Sequence, residues 1–193
     1  MQHYRPRICP FHELLPIVPK GASVLDVGCG SGIFLGLLHH FKHDVHGLGF
    51  DASRVAIDCA TSMAQTRGGG RLRFQHIPKD QPWPGGQFDV VSMLDVLHHI
   101  PRTFQERAFK SAVERVAPGG VLLYKDMSDR PWHLAWANRA HDLVVAREWI
   151  HYVPIATVER WASEAGLQLE SSGSFQMLWY MHDLRVFRRP AMP

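Results

Sequence analysis

Long hydrophobic runs are absent from this chain. No stretch of about 18 consecutive apolar residues occurs, so no membrane-spanning helix is expected. Cysteine is scarce: Cys9, Cys29 and Cys59 are odd in number and scattered. That excludes a disulfide framework and fits reduced thiols in a cytoplasmic setting. The start, M-Q-H-Y-R-P-R-I-C-P, has no apolar core, so no signal peptide is expected. A strong excess of charge is also missing: 21 Lys and Arg against 18 Asp and Glu leave +3. The base is densest at Arg67 to Arg73 and Arg185 to Arg189, with no long basic run. This reads as a solvated face, and no nucleic-acid partner is expected. Cys-Pro-Phe-His, Cys9 to His12, has the look of half a metal site, but no second half follows and no metal is expected.

What is present is an ordinary globular composition, 46% hydrophobic over 193 residues. It predicts one domain, 1–193, with a proline-rich lead over 1–20. Glycine is concentrated in V-L-D-V-G-C-G-S-G, Val24 to Gly32. Strand formers around an acid run into Gly28, Gly30 and Gly32, and Ile33, Phe34, Leu35, Leu37 and Leu38 then carry an apolar helical face. This predicts a strand, a tight turn and a helix start that offers free N–H groups to a ligand.

Further strands are predicted over Asp44–Leu48, Leu72–Gln75, Phe88–Leu94 and Val121–Tyr124. Helices are predicted over Ser53–Gln65, with Ser53 as the cap, and Thr103–Val116, ended by Pro118-Gly119-Gly120. The alternation argues for a parallel doubly wound α/β sheet. The tail differs. Helices over 131–149 and Thr157–Ala165 precede strands over Leu167–Glu170 and Leu184–Phe187, which read as an antiparallel hairpin.

A dinucleotide fingerprint, G-x-G-x-x-G, cannot be counted from Gly28 or Gly30; the pattern is D-x-G-x-G-x-G, Asp26 to Gly32. Asp51 follows the second strand, 21 residues after Gly30, where an acid can accept hydrogen bonds from ribose hydroxyls. Pro82 to Asp89 reads P-W-P-G-G-Q-F-D, Phe88 to Pro101 reads F-D-V-V-S-M-L-D-V-L-H-H-I-P, and Glu114 to Leu123 reads E-R-V-A-P-G-G-V-L-L. Together these motifs resemble, in order and spacing, the Rossmann-like S-adenosylmethionine (SAM) methyltransferases of small-molecule type. The resemblance covers about Val24 to Tyr124. It implies a seven-stranded sheet in order 3-2-1-4-5-7-6 with strand seven antiparallel, and SAM as cofactor. Asp26, Gly28, Cys29, Gly30 and Gly32 would meet its methionine end, Asp51 and Ala52 its ribose side, and Leu94 its flank. The family often carries an acid after strand three that meets the adenine amino group. Ile77 stands there instead, so adenine would rest on Ile77 and a backbone N–H, with His76 nearby.

The chain has 13 histidines, several placed after predicted strands. His98 and His99 are candidate general bases, since imidazole titrates near neutrality, and Asp95 is a candidate to orient the base or the acceptor. Beyond the shared motifs, 128–153 is a candidate substrate lid. Trp132 and Trp136 at helical spacing, with His141, His151 and Lys125, are candidate acceptor contacts, and core packing is the plain alternative for the tryptophans. The expected reaction is methyl transfer to a small-molecule hydroxyl on a phenolic, polyketide-like or lipid-like compound. C-methylation of an activated ring carbon and a non-catalytic partner subunit are the alternatives. A nicotinamide oxidoreductase should show Tyr-x-x-x-Lys, and a nucleic-acid methyltransferase an N-P-P-Y or D-P-P-Y set; neither is present.

Overall fold

The computed structural model describes residues 9–41, 44–128, 150–177 and 180–191. A single helical turn, α1 (Phe11–Leu14), and a 3-10 turn (Leu15–Ile17) lead into the first strand. The order is then β1 (Ser23–Val27), α2 (Ile33–His40), β2 (His46–Asp51), α3 (Arg54–Thr66), β3 (Leu72–His76) and β4 (Phe88–Leu94). A 3-10 turn (Leu97–His99), α4 (Arg102–Glu114), β5 (Val116–Met127), α5 (Ile155–Glu164), β6 (Gln168–Met177) and β7 (Tyr180–Arg188) follow.

The strands form one seven-stranded sheet in order 3-2-1-4-5-7-6. β1 pairs in parallel with β2 and β4, β2 with β3, and β4 with β5; β7 is antiparallel to both β5 and β6. This is the order that the resemblance implies. Strand order reverses between β1 and β4, and such reversals leave a crevice at the carboxyl ends of the strands.

Alternate residues of a strand face opposite sides of the sheet, and here both sides are covered. Val24 points with Phe34, Leu35, Leu38 and Ala64 into a core under α2 and α3. Its neighbour Leu25 points with Val91, Leu122, Phe109 and Trp161 into a core under α4 and α5. α3 begins where Ser53 Oγ accepts the N–H of Ala56 at 3.3 Å, the cap expected from sequence.

Several element bounds differ from the sequence reading. β2 does not stop at Leu48 but runs to Asp51, so the acid is the last residue of the strand. Its Gly49 is a packing requirement: a Cβ there would lie 2.8 Å from Cys29 Sγ and 2.9 Å from a Phe74 ring carbon. Pro118-Gly119-Gly120 does not end a helix. α4 stops at Glu114, and the three residues form an irregularity inside β5, where pairing jumps from Phe88–Val116 to Val90–Val121. The last two strands extend well beyond their predicted bounds. Ser171, Ser172 and Ser174, which read as turn residues, lie in the edge strand β6 and pair with β7.

Replacing Gly49 by Ala should overpack this contact. The expected loss is about 1–3 kcal/mol, read as a lower Tm in thermal unfolding, and an unchanged Tm would show that Cys29 and Phe74 move aside freely.

Candidate active site

The turn between β1 and α2 sits at the sheet's reversal point. Gly28, Gly30 and Gly32 have φ of 62°, 55° and 74°, a left-handed conformation in which a side chain is strained. The turn is pinned from β2: Cys29 N–H donates to Phe50 O at 3.0 Å, and Gly30 N–H donates to Asp51 Oδ2 at 2.9 Å. Asp51 Oδ1 also accepts the N–H of Ser53 at 2.7 Å. One carboxylate thus joins the glycine turn to the corner that starts α3. A carboxylate has about four acceptor positions, so two such bonds leave room for ribose hydroxyls.

A small pocket opens beside this turn, lined by Asp26, Gly28, Cys29, Leu94 and Asp95. Cys9, Phe11 and Phe34 complete it, so the start of the chain closes over the site. Phe11 stacks on Phe34 with ring centroids 6.4 Å apart. Asp26 is buried, and its Oδ1 accepts a hydrogen bond from Ser92 Oγ at 2.7 Å. Cys9, Phe11, Phe34 and Val96 were not read from the motifs. Val96 lies over the turn, with Cγ2 2.8 Å from where a Gly28 Cβ would be. Nothing in the motif spacing marks Cys9 or Phe11, which reach the pocket only through tertiary folding.

On the far side of β2, His76 Nε2 lies 3.1 Å from the carbonyl of Ala52. Ile77, like Val96 and Trp83, packs against the second core. Its own N–H donates to Asp51 O at 3.0 Å, so it is not open to a base as the sequence reading allowed.

The ends of β4 and β5 carry a buried cluster of charged and titratable groups. Lys125 is fully buried and its Nζ donates to both carboxylate oxygens of Asp95 at 2.7 Å. Lys125 and Asp95, both candidate site residues, are thus bound to each other. Asp95 also has a positive φ of 59°, fixed by its N–H bond to Lys125 O at 2.7 Å.

His98 is buried and its Nδ1 bonds Asp126 Oδ1. Asp126 further accepts the N–H groups of Met127 at 2.8 Å and His98 at 3.3 Å. Asp126, which sequence reasoning did not assign to the site, is the partner of His98; its place at the end of a strand beside a histidine turn was the available signal. His99 is exposed, its ring centroid 4.0 Å from that of His98. Burial pushes the phenol of Tyr124 well above its ordinary range, with the negative charge of Asp126 adding to it. Asp95, His98 and Asp126 bring ligand atoms to within 4.8 Å of one another, a spacing that suits a cation. Here Lys125 supplies positive charge to Asp95, and His98 holds Asp126.

His151 N–H donates to His98 O at 2.8 Å, and Gln105 Nε2 bridges His151 O at 2.7 Å and Leu97 O at 3.0 Å. His151 is thus brought to His98 by its backbone. Trp132, Trp136 and His141, and the helix expected over 131–149, lie outside the described residues.

A family model described as a methyltransferase domain matches residues 1–172. The chain belongs to this family of SAM-dependent methyltransferases. This methyltransferase domain is 29% identical over 157 residues to a ubiquinone biosynthesis O-methyltransferase of Psychrobacter arcticus, covering 76% of the chain and 59% of that protein. The chain therefore spans less than two thirds of that relative's length. An O-methyltransferase family protein from Burkholderia thailandensis superposes with a TM-score of 0.76 at 21% identity, covering 100% of this chain and 57% of that one. Magnesium protoporphyrin IX methyltransferase from Synechocystis PCC 6803, with bound S-adenosylhomocysteine, gives 0.73 at 19% identity over 97% of this chain and 83% of that one. These two establish the shared fold.

The Lys125–Asp95 pair should behave as a unit. Lys125→Met leaves a carboxylate in a largely buried site and is expected to cost about 3–5 kcal/mol in denaturant unfolding. The double variant with Asp95→Asn should recover much of that loss, and strict additivity of the two single losses would disprove the coupling.

His182 faces the same cluster, its Nδ1 3.9 Å from Asp95. Burial and the neighbouring Lys125 ammonium lower its pKa to about 4, against the opposing pull of Asp95 and Asp126. The unfolded chain binds this proton below about pH 6.5, whereas the folded chain resists it down to about pH 4. Stability should therefore fall with pH across that window, by roughly 3 kcal/mol from this group. His182→Leu should flatten the difference in Tm between pH 7 and pH 4.5; an unchanged pH dependence would remove His182 as its source.

Proposed function

We propose that this domain transfers a methyl group from SAM to the oxygen of a small-molecule acceptor, with His98 as general base and Asp126 as its orienting partner. The observation that carries the reading is the His98–Asp126 pair at the carboxyl ends of β4 and β5. It adjoins the pocket that Asp26, Gly28, Leu94 and Asp95 line.

The residues present fit the cofactor. Asp26 offers a buried carboxylate in the pocket for the methionine ammonium, and the glycine turn lets backbone approach without side chains. Asp51 has acceptor positions beyond its two backbone bonds for ribose hydroxyls. Leu94 would flank the cofactor, and Cys9 and Phe11 would exclude water from above. Bound SAM supplies an activated methyl on a sulfonium, which leaves alignment and proton removal to the chain.

The carboxylate of Asp126 can only accept, so the Nδ1 of neutral His98 carries the proton and Nε2 is the basic nitrogen. Nε2 would then take the acceptor's hydroxyl proton as its oxygen attacks. The growing imidazolium charge is balanced by Asp126, which backbone N–H groups hold in place. The similarity to O-methyltransferases of ubiquinone biosynthesis supports an oxygen acceptor, and a phenol is the class of hydroxyl that such a base deprotonates readily.

Calorimetric titration with S-adenosylhomocysteine should show micromolar binding, with none for NADH. Asp51→Ala should weaken that binding on the order of tenfold or more. With a phenolic acceptor, His98→Gln and Asp126→Asn should each lower kcat by about 10²-fold or more while binding of S-adenosylhomocysteine stays unchanged. Full turnover in His98→Gln would end the base assignment.

A further inference from the structure

The nucleoside side of the site is bounded by β3, which pairs beyond β2 so that Asp51 stands opposite His76. A nucleoside with its ribose at Asp51 and its amino-acid end over β1 directs its base to the carboxyl end of β3. At positions 77 and 78, which follow β3, the chain offers the base neither a polar side chain nor an unengaged N–H. His76 Nε2 faces the carbonyl of Ala52, which can only accept, so that nitrogen carries the proton and is engaged. Ile77 N–H donates to Asp51 O, and Gln81 N–H donates to Pro78 O at 3.0 Å. Pro78 has no N–H to give. The side chain at 77 is apolar and packs against the second core.

From this we infer that the domain holds the purine by apolar contact at Ile77 and does not read its 6-position, so that adenine and hypoxanthine nucleosides are accepted alike. The inference rests on the reading of the site as a SAM site. Adenine presents an amino donor at its 6-position and an acceptor at N1, whereas hypoxanthine presents an oxygen acceptor and an N–H donor. A site with fixed polar partners distinguishes them strongly, because the wrong base leaves buried groups unpaired. An apolar wall with engaged backbone donors makes no such difference. Ile77 and Pro78 together account for this indifference, by what they withhold.

The test is calorimetric titration of the intact chain with S-adenosylhomocysteine and S-inosylhomocysteine, its 6-oxo counterpart. The two dissociation constants should agree within about threefold, and inosyl binding weaker by more than about tenfold would overturn the inference. Ile77→Asp introduces an acceptor for the adenine amino group that repels the hypoxanthine oxygen. It should create a preference of about tenfold or more for the adenosyl compound, with thermal unfolding confirming that the variant folds. An unchanged ratio in a folded variant would show that the base lies elsewhere and would also overturn the inference. Failure of both compounds to bind the unaltered chain would overturn the SAM reading itself, and the inference with it.

Discussion

The carboxylate of Asp51 holds the turn on which this end of the molecule is built. A run with three left-handed glycines has little conformational preference of its own, and it loses much entropy when fixed. Gly30 N–H on one oxygen and Ser53 N–H on the other convert that freedom into a defined shape. Both bonds are charge-assisted, the stronger kind. Because Ser53 also caps α3, the same acid couples the turn after β1 to the start of the helix after β2. The glycine turn, the crevice at the strand reversal and the direction of α3 are therefore one arrangement. Gly49 makes it possible, since any side chain there would strike Cys29 beneath the turn.

A second constraint acts at the ends of β4 and β5. Lys125 and Asp126 are adjacent in sequence yet point to opposite sides of the sheet, as neighbours on a strand must. One meets Asp95 and the other meets His98. Each charge is thereby matched across the β4–β5 boundary, which offsets the high cost of removing it from water. His182 on β7 sits close to this group and stays neutral at physiological pH. A charged cluster so deeply placed fixes imidazole orientation more firmly than an exposed one would, because partners in low dielectric exchange poorly with water.

The architecture was legible because it depends on local pattern. β4 matches its predicted bounds, and β1 and α2 fall where the strand, turn and helix reading puts them, since each is an uninterrupted run of strand or helix formers between clear breakers. Where the reading failed, tertiary pairing overrode local preference. Gly49 and Phe50 belong to β2 because parallel partners exist on both sides, and the serines of β6 are strand because β7 lies beside them. The glycine turn and Asp51 could be named from spacing. The partners in the charged cluster could not, because Asp95 and Lys125 are 30 residues apart and His98 and Asp126 are 28 apart. Sequence offered Asp95 to orient the base or the acceptor, and the structure pairs it with Lys125. Only the register between β4 and β5, with Leu94 opposite Lys125, decides which acid meets which base.

The two ends of the site differ in kind, and this bears on where recognition resides. Over β1, β4 and β5 the groups are charged and directional: Asp26, Asp95, Lys125, Asp126 and His98. Beyond Asp51, Ile77 and Pro78 are apolar, and the backbone donors of Ile77 and Gln81 already have partners. A ligand spanning both would gain orientation at the first end and mainly burial at the second. Directional bonds tolerate little displacement, whereas apolar contact is nearly indifferent to small shifts of a flat base. The methyl-bearing end can thus be held to the geometry an in-line displacement needs, while the base adjusts around it. With the cofactor bound as proposed, positional precision would be concentrated where bonds are made and broken, and affinity for the base would come from a surface that imposes no alignment of its own.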